Sequence, residues 1–270
     1  MESPANIIRW AMFLLSLLIT LTIVVAVMAL ILGGLRCHPY YQYTKIKCVR
    51  IPEKPLLYDS LRVAFIGDSW ANYHHDFDTV LQNLLVKDSL VIAVKSRGNV
   101  GAKSKEIYER LSSTTKSILE WHPDYCIISA GINDAVAKLG PDFYVYHYSL
   151  IIRQLLNVGV KPIVLEMPEV NYRAIVSRES VIMRIRHSIS AFITDSEMYS
   201  FSQYRTALSS FITSNGLNDS ILYISAESWN PMGFRDKRKL YLPDETHLNA
   251  KGYHLLDSCL ASEIIMDKML

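Results

Sequence analysis

The stretch that decides the fold is RVAFIGDSWANYHHDFDTVL, residues 62 to 81. Val63, Ala64, Phe65 and Ile66 form a short continuous apolar run, the pattern of a strand buried on both faces. Gly67, Asp68 and Ser69 end the run, and a polar, aromatic segment follows. Gly-Asp-Ser taken alone is ordinary turn chemistry. It is also how a hydroxyl comes to stand at the tip of a strand. The rest of the chain has to decide between the two.

Working outward, similar runs recur at Leu90–Val94, Tyr125–Ser129, Pro162–Leu165 and Ile221–Ile224, beside Arg62–Ile66 itself. Helical patterns lie between them. KSKEIYERLSSTTKSILEW reads as one helix, and DFYVYHYSLIIRQLLNVG as another, closed by a capping Gly159. A long helical stretch covers about Ser177 to Ser214, and a last helix follows Asn249 as N-cap. Strand–helix alternation predicts a parallel sheet with helices on both faces, with ligands at the carboxyl ends of the strands.

The chain has 270 residues, half of them hydrophobic, and a formal net charge of +2, which gives no basis for a nucleic-acid partner. Residues 1–9 are a short head. Residues 10–35, WAMFLLSLLITLTIVVAVMALILGGL, hold no charge and are long enough to cross a bilayer as a helix. Trp10 before the segment and Tyr40, Tyr41 and Tyr43 after it are placed as interfacial aromatics. A cleaved signal peptide is the rival reading, but its apolar region is normally shorter, and Gly33-Gly34-Leu35-Arg36 is a poor cleavage site. The expectation is an uncleaved single-pass anchor. Arg36, Lys45, Lys47 and Arg50 favour a cytoplasmic domain, whereas the short head before one large domain favours the opposite side. The expectation is an extracytoplasmic domain. Residues 36–60, with Pro39, Pro52 and Pro55, read as a linker, and 61–270 as one folded domain. Of four cysteines, Cys37 and Cys48 could pair in an oxidising compartment, while Cys126 and Cys259 read as buried small hydrophobes.

Polar residues cluster after the strands: Gly67-Asp68-Ser69, then SRGNVGAKS with Gly98 and Gly101, then AGINDA with Asn133 and Asp134. Before the last helix stands LPDETHLNAKGY, with Asp244 and His247. A serine hydroxyl needs a base to become a nucleophile, an imidazole can serve near neutral pH, and a carboxylate fixes its tautomer. Asp244 and His247 are close enough in sequence for one turn to present both to Ser69. The oxyanion needs donors, which the Ser69 N–H, a glycine N–H and the Asn133 amide could supply. This chemistry requires no metal and no cofactor.

The order and placement of these blocks resemble the GDSL-type esterase/lipase superfamily, the SGNH hydrolases, over roughly residues 61 to 265. The resemblance implies a three-layer, flavodoxin-like α/β/α domain. It also implies a site of Ser69, Gly101, Asn133 and His247, with Asp244 completing the triad; Gly98 is the alternative to Gly101. Where the family has leucine after the serine, this chain has Trp70, expected to reshape the pocket mouth. The α/β-hydrolase elbow, Gly-x-Ser-x-Gly, fits worse, because Ala71 stands at its last position.

The leading expectation is a membrane-anchored serine esterase acting on an O-acyl group, an O-acetyl on a small-molecule or glycan ester. The same triad would serve an O-acyltransferase that moves the acyl group to a sugar hydroxyl. A catalytically silent binding protein is the third class. His74 and His75 are adjacent and point to different faces of a helix, against a shared metal. His122 reads as part of a helix-to-strand turn. Arg235, Lys237, Arg238 and Lys239 read as a solvated loop or as a patch steering an anionic glycan.

Overall fold

In the computed structural model, residues 4–52, 60–86, 92–194, 200–231 and 237–269 are described. They form two compact units, residues 1–42 and 43–270. The first is helix α1, Pro4–Arg36, followed by a short 3₁₀ turn at Pro39–Tyr41. From Ile8 to Arg36 α1 is long and apolar enough to cross a membrane, and most of its apolar side chains are exposed. Cys37 and Cys48 are both free and exposed.

The second unit is built on five parallel strands: β1 Leu61–Gly67, β2 Ile92–Gly98, β3 Tyr125–Ser129, β4 Lys161–Leu165 and β5 Leu222–Ile224. Their order in the sheet is β2-β1-β3-β4-β5, the flavodoxin-like arrangement. Register is in phase at the top, with Gly67 opposite Gly98 on one side and Ser129 on the other. The chain leaves β1 toward β2 and returns on the other side as β3. The sheet order therefore reverses at β1, and the crevice over the carboxyl ends of β1 and β3 is the switch point where such sheets bind ligands.

The helices are α2 Ser69–His74, α3 Asp78–Val86, α4 Ser104–Arg110, α5 Lys116–Glu120, α6 Ile132–Val136, α7 Pro141–Asn157 and α8 Tyr172–Ser177. Then come α9 Val181–Ile193, α10 Phe201–Ser214, α11 Ala226–Trp229, α12 Lys237–Leu240 and α13 Ala250–Met269. α3 packs on β2 and α13; α7 packs on β4 and carries α4 and α10. Every residue of β3 is buried, as its continuous apolar run requires.

Three local expectations are corrected. The second strand does not stop at Val94 but continues to Gly98, so Ser96, Arg97 and Gly98 belong to it; Leu90 and Val91 lie outside the described residues. The stretch from Lys103 to Trp121 is two helices, not one. Leu111 to Thr115 interrupt it, with the Ser112 and Ser113 hydroxyls donating to the carbonyls of Glu109 and Arg110 in competition with the helix. The stretch from Ser177 to Ser214 likewise divides into the end of α8, then α9 and α10, with Arg178–Ser180 between the first two and residues 195–199 outside the described ones. Gly159 does close α7, at φ +74°, and Asn249 caps α13 by accepting from the Gly252 N–H at 3.0 Å. His122 sits in the turn before β3, at φ +56°. Cys126 is fully buried, whereas Cys259 is only half-buried.

Residues 43–51, inside the stretch read as a linker, belong to the second unit and lie along α7. Val49 exchanges two hydrogen bonds with the Gln154 side chain, at 3.0 and 3.2 Å. His147 donates from Nδ1 to the Phe143 carbonyl (2.8 Å) and accepts at Nε2 from the Thr44 N–H (3.1 Å). Burial pushes its pKa down to about 4, so the ring is neutral and both nitrogens are used.

Candidate active site

β1 ends on Gly67, and the chain turns at Asp68 into α2, with Ser69 as the first helical residue. Asp68 is the N-cap: its carboxylate accepts from the Trp70 N–H at 3.0 Å and from the Ser129 hydroxyl at 3.2 Å. Asp68 is itself 2 % exposed. Burial pushes its carboxyl up to about 7 against these hydrogen bonds. The result is a serine fixed at the carboxyl edge of the sheet and tied to β3.

The other half of the site lies just before α13. Tyr241 and Leu248 form an antiparallel bridge, and the Leu242 N–H donates to the His247 carbonyl at 2.7 Å. This closes the turn that carries Asp244 and His247. One Asp244 oxygen accepts the backbone N–H groups of Thr246 (2.9 Å) and His247 (3.0 Å), and the other meets His247 Nδ1 at 2.5 Å. Burial alone would raise the Asp244 carboxyl, but these hydrogen bonds hold it below the ordinary carboxylate value. His247 Nε2 lies 2.8 Å from Ser69 Oγ. With Nδ1–H directed at a carboxylate, Nε2 is the nitrogen left to accept the serine proton. The Tyr73 ring stands edge-on to the His247 ring, centroids 4.8 Å apart.

Asn133 is in the first turn of α6, and its amide donates to the Ala102 carbonyl at 3.0 Å. This joins the loop after β3 to the loop after β2, where Gly101 sits exposed at φ +77°. Beneath them Asp134, fully buried, accepts from the Ser104 N–H (2.9 Å) and hydroxyl (2.6 Å). Burial pushes the Asp134 carboxyl up to about 6. The two glycines differ in what they do. A Cβ on Gly98 would fall 2.2 Å from the Asn72 nitrogen and the Asp68 oxygen, so Gly98 is where β2 lets the backbone of α2 approach. A Cβ on Gly101 would meet nothing within 4 Å; its requirement is the left-handed backbone.

Trp70 departs from expectation. It is not at a pocket mouth but 1 % exposed, edge-on to Trp229 and Tyr241, and its indole N–H donates to the Thr246 carbonyl at 3.2 Å. Trp70 therefore braces the turn that carries His247. Asp68 and Asp134 carry structural work that the motifs containing them do not disclose. The signal is present, since each is a carboxylate in an otherwise apolar or glycine-rich segment just past a strand. His74 and His75 do point apart: His75 is exposed, and His74 is fully buried against Asp257 (2.7 Å), Asp78 (3.2 Å) and Ser96 (2.7 Å). Burial would lower His74, but the two carboxylates outweigh it and raise it to about 9. The His74 contacts tie α2 to α13 and to β2. Of the basic run, Arg235 lies outside the described residues, and Lys239 is exposed.

A parallel sheet with a serine, an imidazole and a carboxylate in hydrogen-bonded sequence at its carboxyl edge defines a serine hydrolase. The chain belongs to the GDSL-like lipase/acylhydrolase family, whose family model matches residues 65–255. No curated protein matches the sequence. Among solved structures, the fold is similar to that of an acetyl xylan esterase, AlAXEase (17 % identity, 76 % of this chain and 100 % of that one, TM-score 0.54). It is similar also to the psychrotrophic esterase EstA of Pseudoalteromonas sp. (12 %, 76 % and 97 %, 0.53). A third is LAE5, an alpha/beta hydrolase enzyme from the metagenome of Lake Arreo (15 %, 76 % and 95 %, 0.51).

Proposed function

We propose that the protein is a membrane-anchored serine esterase that removes an O-acyl group, an O-acetyl on a glycan, with α1 as a single-pass anchor and the catalytic unit outside the cytoplasm. The observation that carries this reading is the continuous hydrogen-bonded path from Ser69 Oγ through His247 to Asp244. Ser69 Oγ attacks the ester carbonyl while His247 Nε2 takes its proton. The tetrahedral oxyanion is held by the N–H groups of Ser69 and Gly101 and by the Asn133 amide. The C–O bond to the alcohol then breaks, and His247 returns the proton to the departing oxygen. Water, deprotonated by His247, attacks the acyl-enzyme and releases the carboxylic acid. Asp244 holds the imidazole in the required tautomer throughout.

AlAXEase, which shares the fold, is named for an ester carried on a polysaccharide. That supports an acetylated sugar as the first class to assay. The test is a mass-spectrometric search for an organophosphorus adduct on Ser69, paired with p-nitrophenyl acetate turnover. Ser69→Ala is expected to abolish both and keep the wild-type melting temperature. Full turnover in that variant, or an adduct elsewhere, overturns the reading.

A further inference from the structure

A surface helix of a water-soluble protein buries its apolar stripe and shows its polar face. Helix α9, VIMRIRHSISAFI, does the reverse. At 100° per residue Val181, Ile182, Ile185 and Phe192 share one face, and they are 70, 77, 55 and 59 % exposed. The two residues of the helix that are buried are both polar. His187 is buried against Glu179 at 3.2 Å, Ser190 is fully buried, and Thr194 just beyond the helix donates to the Lys138 carbonyl at 3.2 Å. Arg184 and Arg186 fall on either border of the apolar stripe, and both are exposed. An apolar face flanked by arginines is the pattern of a helix that lies in the headgroup region of a bilayer.

We propose that α9 docks on an anionic lipid surface with Val181, Ile182, Ile185 and Phe192 among the acyl chains and Arg184 and Arg186 at the phosphates. The charges favour lipid over a second copy of the chain. Two such faces packed together would bring arginines of one sign to the same seam, whereas anionic headgroups neutralise them. The same chain also carries α1, an apolar helix long enough to span a bilayer.

α9 is attached to the candidate site. Asn171, the N-cap of α8, donates from its amide to the Glu245 carboxylate at 2.5 Å. Arg178, between α8 and α9, donates to the carbonyls of Asp244 (2.7 Å) and Pro243 (3.3 Å). Docking α9 therefore brings the Asp244–His247 turn to the lipid surface. Resting on the esterase reading, this makes the substrate an ester carried on a membrane-bound molecule.

The test is photo-crosslinking of the full chain in vesicles of three parts phosphatidylcholine to one part phosphatidylglycerol. p-Benzoyl-phenylalanine is placed at Ile185, at Phe192 and, as a control at the amino end of β5, at Asp219. Phospholipid adducts are expected at the first two positions and not at Asp219. They should fall several-fold in Arg184→Gln/Arg186→Gln and in vesicles of phosphatidylcholine alone. Crosslinks joining two copies of the chain, adducts equal at all three positions, or no adduct at Ile185 and Phe192 would overturn the proposal. The readout needs no turnover, so it stands or falls separately from the Ser69 adduct.

Discussion

Replacing Trp70 by leucine, the residue of the resembling family, tests whether the indole braces the site or lines it. Trp70 is almost fully buried between Trp229 and Tyr241 and donates to the Thr246 carbonyl. Cutting a buried aromatic to alanine costs about 3–5 kcal/mol; leucine refills roughly half the space, leaving a packing loss of about 2 kcal/mol. Depriving the Thr246 carbonyl of its donor adds about 1–2 kcal/mol. With roughly 3–4 kcal/mol lost and each kcal/mol worth about 2–4 °C in a unit of this size, Tm falls by roughly 10 °C. The chemical consequence follows from Thr246 standing next to His247, with its own N–H on Asp244. A turn that shifts by a fraction of an ångström misaligns Nε2 against Ser69 Oγ, and kcat drops by about ten- to a hundredfold. Trp70→Phe, which keeps an aromatic ring without the N–H, should fall between leucine and wild type in both measurements. The assays are urea or thermal unfolding and p-nitrophenyl acetate kinetics. If Trp70→Leu kept kcat and Tm and changed only KM or the preference among ester alcohols, the indole would belong to the substrate pocket and the bracing argument would be wrong.

The remaining predictions concern neighbouring groups. Asp244→Asn should lower kcat/KM for p-nitrophenyl acetate by about a thousandfold or more, since the imidazole loses the carboxylate that sets its tautomer; a loss under tenfold would remove Asp244 from the mechanism. Gly98→Ala puts a Cβ against two backbone atoms of the Asp68–Asn72 turn and should cost about 3 kcal/mol or more. Gly101→Ala carries only the left-handed strain of about 1–2 kcal/mol. Equal unfolding midpoints for the two variants would contradict the division of roles. Asp68 binds its proton in the folded protein up to about pH 7, while the unfolded chain releases it near pH 3.8. The folded state then holds more protons between those values, so this group's contribution to stability falls as pH rises through that window. Asp68→Asn keeps an oxygen for the cap and loses the titration. Its stability relative to wild type should improve from pH 4 to pH 8 in urea unfolding, and parallel profiles would refute the assignment.

What the sequence discloses here follows the range of the interaction responsible. The ends of β1 and β3 are set by local patterning, an apolar run stopped by Gly67 in the first and by Ser129, with Gly131 close behind, in the second, and both are legible in the sequence. β2 reads short in the sequence because Lys95 and Arg97 interrupt its apolar run; only its inward residues Ile92 and Val94 are well buried. The Asp244–His247 turn is local, three residues and one closing bridge, so the pair could be read as a unit. The bracing of that turn is not local. It depends on Trp70, far away in the chain, and no periodicity distinguishes a tryptophan at a pocket mouth from one packed under a loop.

The same limit explains α9, and it bears on function. Periodicity shows that Val181, Ile182, Ile185 and Phe192 share a stripe, and the ordinary inference turns such a stripe toward the core. Packing decides otherwise: the two residues that α9 buries are His187, against Glu179, and Ser190, whose hydroxyl donates to the Arg186 carbonyl of the same helix. An apolar face left outward beside the turn of Asp244 and His247 is a cost to a protein surrounded by water alone. It ceases to be one where the surrounding medium is lipid, which is the setting that the proposed docking of α9 supplies.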